Sequence, residues 1–186
     1  MVTTLYIYQK DLDSNLIELF ESLYTESTIH FYTEEFFALQ TTELLDEPVD
    51  YHEIYTLVLN DFSTPITLLI LTSMQAYDGF NHIITENLKY IPPKEYTIET
   101  FILSLIKRKP EVVPTLQKSL TKMLGHELID TTLAIAEANM NFSIAAKNHY
   151  LHRNTLQYRI DKIYEKSGID IKTFYGLSIF TLLFKN

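Results

Sequence analysis

The residues best suited to binding chemistry form one polar stretch late in the sequence, His152-Arg153-Asn154-Thr155-Leu156-Gln157-Tyr158-Arg159-Ile160. An arginine can form two hydrogen bonds to guanine or hold a phosphate, and an asparagine or glutamine can pair with the edge of adenine. Threonine and tyrosine hydroxyls, like the N–H groups at a helix start, can donate to phosphate oxygens. These residue types therefore point to double-stranded DNA as the partner. The candidate DNA-contacting residues are His152, Arg153, Asn154, Thr155, Gln157, Tyr158, Arg159 and Lys162.

The spacing of small and apolar residues predicts the two helices that would position this stretch. Ser143 can cap a short helix that contains Ala145 and Ala146, two residues small enough for a second helix to cross closely. After a turn, a helix over 153–166 places four residues of apolar or small type on one face. Such an arrangement is a helix-turn-helix, although an ordinary pair of core helices with a polar outer face would fit the residue pattern equally well. The four residues are Leu156, Ile160, Ile163 and Ser167.

Two cations of the second helix are expected to act differently from the residues at its start. Lys162 lies two turns along, where the helix should be leaving the groove, so we expect it to contact phosphate. Arg159 lies nearer the apolar face. We expect its partner to be a phosphate or a carboxylate within the same domain.

Catalytic and metal-binding patterns are missing from the sequence. It has no cysteine and no G-x-S-x-G, P-loop or H-E-x-x-H motif. His149 and His152 have a spacing that two metal ligands could use, but no third ligand is near in sequence. We therefore expect no enzyme activity, no cofactor and no metal site.

The charge is distributed unevenly along the 186 residues, whose net charge is −9. Residues 1–110 carry 17 acidic and 6 basic side chains, a net charge of −11, whereas residues 111–186 carry 7 and 9, a net charge of +2. Only the second part suits a polyanion. No apolar run approaches the ~20 residues that span a bilayer, and the first residues lack the pattern of a signal peptide. We expect a cytoplasmic protein without a membrane partner.

The first part of the chain has the pattern of a small α/β layer. Strand-type runs begin at Leu5, Thr28 and Phe36, and helical spacing of leucines and Phe20 follows the first of them. Two further β-type runs, Ile54–Leu59 and Ile66–Leu71, are separated by Asn60-Asp61-Phe62-Ser63-Thr64-Pro65, which has the chemistry of a hairpin turn.

From Gln75 onward the pattern becomes helical. A helix ends at Lys107-Arg108-Lys109-Pro110, and we place a domain boundary near 108–112, where charge and periodicity both change. After it, no strand is predicted. The five helices expected there cover 112–124, 127–139, 143–149, 153–166 and 172–184.

The polar stretch also resembles a known family signature. His152 to Ile160 is similar to the H-R-N-T-L-x-Y-R-[LI] motif of the C-terminal DNA-binding domain in PucR/CdaR-type regulators of purine catabolism and sugar diacids. Asn141-Phe142-Ser143 resembles the family's N-[LV]-S entry, and Gly168-Ile169-Asp170-Ile171 resembles its G-L-D-L exit. The likeness covers roughly 126–184, and the family usually has leucine where His149 stands. It implies a helix-turn-helix that reads DNA.

A fainter likeness lies upstream. Asn60-Asp61-Phe62-Ser63 is similar to the [ED]-D-F-S stretch of the degenerate GGDEF-like region in Gram-positive members. No GGDEF sequence is present, so cyclase chemistry is not implied.

Together these observations predict an α+β protein: an acidic, degenerate GGDEF-like α/β module over 1–108, followed by an all-α helix-turn-helix domain over 111–186. We expect a transcription regulator that reads specific DNA with helix 153–166 as a homodimer, because one recognition helix reads few bases. A small-molecule effector of unknown identity is a further candidate partner. The alternative is a non-catalytic protein-interaction or sensor module that works through its acidic, aromatic-rich half.

Overall fold

The computed structural model describes residues 2–24, 26–42, 51–62, 64–73 and 78–185. Contacts divide the chain into two compact units: Met1–Ala76 with Ile84–Phe101, and Tyr77–Ile83 with Ile102–Asn186. Five strands lie in the described residues: β1 (Val2–Tyr8), β2 (Ser27–Thr33), β3 (Phe36–Thr41), β4 (Thr67–Ser73) and β5 (Glu95–Thr97). The α-helices there are α1 (Ser14–Leu23), α2 (Tyr51–Asp61), α3 (Asp78–Asn87), α4 (Ile98–Arg108), α5 (Val113–Leu124), α6 (His126–Glu137), α7 (Phe142–Asn148), α8 (Arg153–Ser167) and α9 (Phe174–Phe184).

The first unit is built around a mixed sheet of strand order β2-β3-β1-β4-β5. The central strand β1 pairs antiparallel with β3 and β4, so that Leu5 lies opposite Leu39 on one side and Ile70 on the other. β2 and β3 form an antiparallel hairpin, and β5 joins β4 in parallel.

Alternating side chains of the sheet form the core of this unit. Leu5 and Ile7 of β1 and Leu39 of β3 are fully buried on the same face, together with Phe20 of α1 and Val58 of α2. The α1 helix begins at Ser14 because the Asp13 side chain caps it, accepting a hydrogen bond from the Asn15 N–H.

The run Ile54–Leu59 is not a strand, which corrects the prediction from sequence. It lies in α2, where Tyr51, Ile54, Tyr55 and Val58 follow helical spacing while Leu57 is 42% exposed. The β-branched composition of the run concealed this spacing. The hairpin predicted at 60–65 is also wrong, since α2 continues to Asp61 and β4 pairs with β1 and β5; Ser63 lies outside the described residues.

The helices predicted after residue 111 are confirmed. α6 packs against α5, α7, α8 and α9, so this unit is helical throughout residues 113–184 apart from short connections. The α+β class is therefore confirmed. The short strand β5 was not predicted, and the GGDEF-like likeness and the boundary near 108–112 stay predictions. Among the described helices, none is long and apolar enough to cross a membrane.

Candidate nucleic-acid interface

The short helix α7 begins at a side-chain cap and packs through alanines. The Oδ1 atom of Asn141 accepts a hydrogen bond from the Ile144 N–H at 3.1 Å, so Asn141 is the capping residue and the prediction of Ser143 is wrong. Asn141 has the extended backbone that a cap requires, whereas Ser143 lies inside the helix. Ala145 and Ala146 are both buried, and α7 packs against α6 and α8. The burial of both alanines agrees with the close helix packing expected of α7, and a crossing of α8 at these residues stays a prediction.

The turn after α7 is a Schellman-type cap. The Leu151 N–H donates to the Ala146 carbonyl at 2.9 Å, and the Tyr150 N–H donates to the Lys147 carbonyl at 3.3 Å. Tyr150 occupies the left-handed position usually taken by glycine, with φ of 53°, and its side chain is 97% exposed. Two further residues bring the chain to the start of α8.

The helix α8 is capped by the histidine of the polar stretch. The Nδ1 atom of His152 accepts a hydrogen bond from the Asn154 N–H at 3.2 Å, and His152 has extended backbone. At the other end Gly168 adopts the left-handed conformation with φ of 69°. The buried residues of α8 are those expected: Leu156, Ile160, Ile163 and Ser167.

The start of α8 presents most of the predicted DNA-contacting residues to solvent. Arg153, Asn154, Thr155, Gln157 and Tyr158 are exposed within its first two turns. Gln157 donates to Asp161 at 2.7 Å through its side-chain amide. The guanidinium of Arg153 makes no hydrogen bond or ion pair with any described residue, so its positive charge is uncompensated there.

Arg159 lies apart from that exposed group and faces α6. One terminal nitrogen, Nη1, donates to the Thr131 hydroxyl at 3.2 Å, and the other forms an ion pair with the Glu127 carboxylate. Its side chain is 20% exposed. Of the two partners expected from sequence, the structure gives Arg159 the carboxylate within its own domain.

Lys162 is also paired, although on the surface. Its ammonium lies 3.0 Å from a Glu165 carboxylate oxygen, and hydrogen bonding to and attraction by that carboxylate raise the pKa of Lys162. Lys172 similarly lies 3.5 Å from Asp161. The cations near α8 thus divide into paired and unpaired groups.

Sequence reasoning missed residues that α7 contributes to the same surface. Phe142 and Ser143 line one cleft with the start of α8, and the ammonium of the exposed Lys147 has no polar partner among the described residues. The signal was their place on the first helix of the pair, which crosses the DNA backbone in such motifs. The cleft is lined by Phe142, Ser143, Arg153, Asn154, Leu156, Gln157 and Ile160.

Metal ligands do not cluster in the described part of the chain. No three His, Asp or Glu side chains come together there in a way that could hold an ion. His149 and His152 are exposed residues at the two ends of the turn, and His152 is engaged in the helix cap.

The chain is similar to one protein family over part of its helical unit and to two further proteins. Residues 128–184 match the family described as the PucR C-terminal helix-turn-helix domain. The Bacillus subtilis (strain 168) protein named "Uncharacterized protein YxkF" is 42% identical over 79 residues, which make up 41% of this chain and 27% of that protein. The solved structure of a regulator of polyketide synthase expression from Bifidobacterium adolescentis aligns with 97% of this chain and 77% of that chain, at 13% identity and a TM-score of 0.44.

The family match begins within α6 and extends through α9, and so includes the capped helices and the turn described above. The 79 residues that align with the Bacillus subtilis protein make up about a quarter of that protein's length. Residues 128–184 of this chain are a PucR-type C-terminal helix-turn-helix domain.

Proposed function

We propose that this protein is a transcription regulator that binds specific duplex DNA by inserting the start of α8 into the major groove. The observation that carries the proposal is the exposed polar group at that helix start, with an arginine whose charge no described residue compensates. An unpaired guanidinium beside exposed amide side chains suits a base edge and a polyanion. The helix-turn-helix family of residues 128–184 supports the same ligand.

The residues of this surface would have different tasks. Arg153 and Asn154 lie at the helix start, where insertion into the groove would be deepest, and would contact base edges, whereas Thr155 and Tyr158 would donate to phosphates. Gln157 would exchange its bond with Asp161 for a base contact. Arg159 is engaged by Glu127 and Thr131, so it would hold α8 in place against α6 rather than read DNA.

A homodimer is part of the proposal. One recognition helix contacts few base pairs, and two copies would read half-sites about one helical turn apart. The protein would act in the cytoplasm without catalytic chemistry. A small-molecule effector stays a prediction from sequence.

The proposal is tested with the full chain and a library of random duplexes. Selection should enrich one motif, and Arg153→Ala or Asn154→Ala should reduce the affinity ratio between the enriched and a scrambled duplex by about 5- to 150-fold, the equivalent of ~1–3 kcal/mol. Lys185→Ala removes one exposed charge at the end of α9 and is the control, which should leave that ratio unchanged. A ratio that survives both α8 substitutions would rule out α8 as the reading helix.

The alternative function, a protein-interaction or sensor module, has one observation in its favour. The edge strand β2 carries Phe31, which is 61% exposed, next to the partly exposed Tyr32. If the random library yields no motif and Phe31→Ser abolishes self-association in sedimentation, the alternative is preferred.

A further inference from the structure

The cleft between α7 and α8 combines two kinds of surface. Its floor is apolar, because its lining includes the buried Leu156 and Ile160 of α8 and the partly buried Phe142 of α7. Its rim is polar and includes Arg153 and Gln157. The cleft encloses about 310 Å³, which leaves room for more than one methyl group.

The rim decides what kind of occupant is suitable. The Arg153 guanidinium has no acidic partner among the described residues, and covering it with an apolar protein face would bury an uncompensated charge. A phosphate-rich duplex supplies the missing negative charge without that cost. Charge complementarity therefore favours DNA over a second protein surface in this cleft.

The floor decides which base is suitable. In the major groove every base edge presents hydrogen-bonding groups, and thymine alone also presents a methyl group. An apolar floor gives no partner to a donor or acceptor placed against it, so a polar edge would lose its water without compensation. A methyl group loses nothing by leaving water.

We propose that this cleft receives the 5-methyl group of a thymine and that Phe142 is a specificity-determining residue. The inference rests on the proposed function, and it adds a residue of α7 to the reading surface of α8. Asn141 caps α7 directly before Phe142, and Phe142 lines the same cleft as Asn154 and Gln157 of α8. The predicted motif contains a thymine beside the bases that those amides contact.

The test replaces single thymines of the enriched duplex by uracil, which removes one methyl group and leaves base pairing unchanged. For the full chain, uracil at one position should weaken binding about fourfold, as expected for one buried methyl group. Phe142→Ala should bring the thymine-to-uracil affinity ratio at that position close to one. Ile144→Ala, which removes an exposed apolar side chain from the same helix outside the cleft, should leave the ratio at about four.

The readout is a ratio within one variant, so a general loss of folded protein affects both duplexes equally. If Phe142→Ala does not fold, Phe142→Gln retains a long side chain with a polar end and should abolish the ratio in the same way. A uracil scan with no sensitive position, or a ratio that persists in the Phe142 variant, would overturn the inference. A flat scan combined with a change in sedimenting mass for Phe142→Ala would instead assign the cleft to a second copy of the chain.

The selection and the uracil scan together distinguish an error about the cleft from an error about DNA binding. If no motif is enriched at all, sequence-specific DNA binding itself is wrong. If a motif is enriched and depends on Arg153 but ignores thymine methyl groups, only the role of the cleft is wrong.

Discussion

The cations around α8 have different partners in the structure although their residue types are the same or similar. Arg153 and Arg159 stand in the same short signature, yet the first is unpaired among described residues while the second is held by Glu127 and Thr131. Helical periodicity predicted which of them lies near the apolar face. It did not identify Glu127 as the partner, because that carboxylate lies 32 residues away and reaches Arg159 only through the packing of α6 against α8.

The difference between paired and unpaired cations leads to a prediction about salt. Lys147→Ala should lower the slope of log affinity against log salt by about one, since the ammonium of this lysine has no polar partner among the described residues and can release a counterion on meeting a phosphate. Lys162→Ala should lower the slope by about half as much or less, because Glu165 already neutralises part of its charge. The measurement is a titration of both variants on the scrambled duplex at several salt concentrations. Equal changes in slope would contradict the argument.

Among the elements, those with strong periodicity were predicted from sequence and those that depend on tertiary contacts were not. Helices α5 to α9 bury one face each and follow the 3.6-residue pattern. The helix α2 was mistaken for a strand because it is rich in β-branched residues and has only one fully buried residue, Val58. The strand β5 has three residues and exists through its pairing with β4, a contact no local pattern reveals.

The sequence predicted where the turn between α7 and α8 lies but not the backbone conformation of that turn. A left-handed residue is usually glycine, and Tyr150 gives no sequence signal for such a conformation. The hydrogen bonds from Tyr150 and Leu151 to the last turn of α7 compensate for it. Likewise Asn141 and Ser143 are both common caps, and only the backbone geometry identifies Asn141 as the capping residue.

The contact between α7 and α8 yields a prediction about stability. Ala146→Leu should lower the free energy of unfolding by about 1–3 kcal/mol, because Ala146 is 6% exposed and a larger side chain would separate the crossing helices. Ser143→Leu adds a leucine at an exposed position of the same helix and should change stability by less than about 0.5 kcal/mol. Urea unfolding of both variants provides the comparison. An unchanged midpoint for Ala146→Leu would mean that α7 and α8 do not cross closely at this alanine.

For the whole molecule, charge and structure divide the chain in similar but not identical ways. The net charge is negative over residues 1–110 and slightly positive over residues 111–186. By contacts, however, the helical unit consists of Tyr77–Ile83 and Ile102–Asn186. Most of α4 therefore joins a unit that its sequence position would have assigned to the acidic part. Composition cannot reveal this, because the boundary of a packed unit depends on which side chains meet.

The difference between the charge boundary near residue 110 and the helical unit defined by contacts can be tested with fragments of the chain. Residues 111–186 and residues 77–186 should both bind the enriched duplex, because both contain the helix-turn-helix. The longer fragment should be the more stable, since it retains the whole helical unit. Residues 1–110 should give no shift in a gel at physiological salt, because 17 acidic against 6 basic side chains repel a polyanion. If 111–186 fails to fold while 77–186 binds, the boundary near 108–112 is wrong and the assignment of the DNA site stands. A shift caused by 1–110 alone would show that the acidic part contributes a DNA-binding surface of its own.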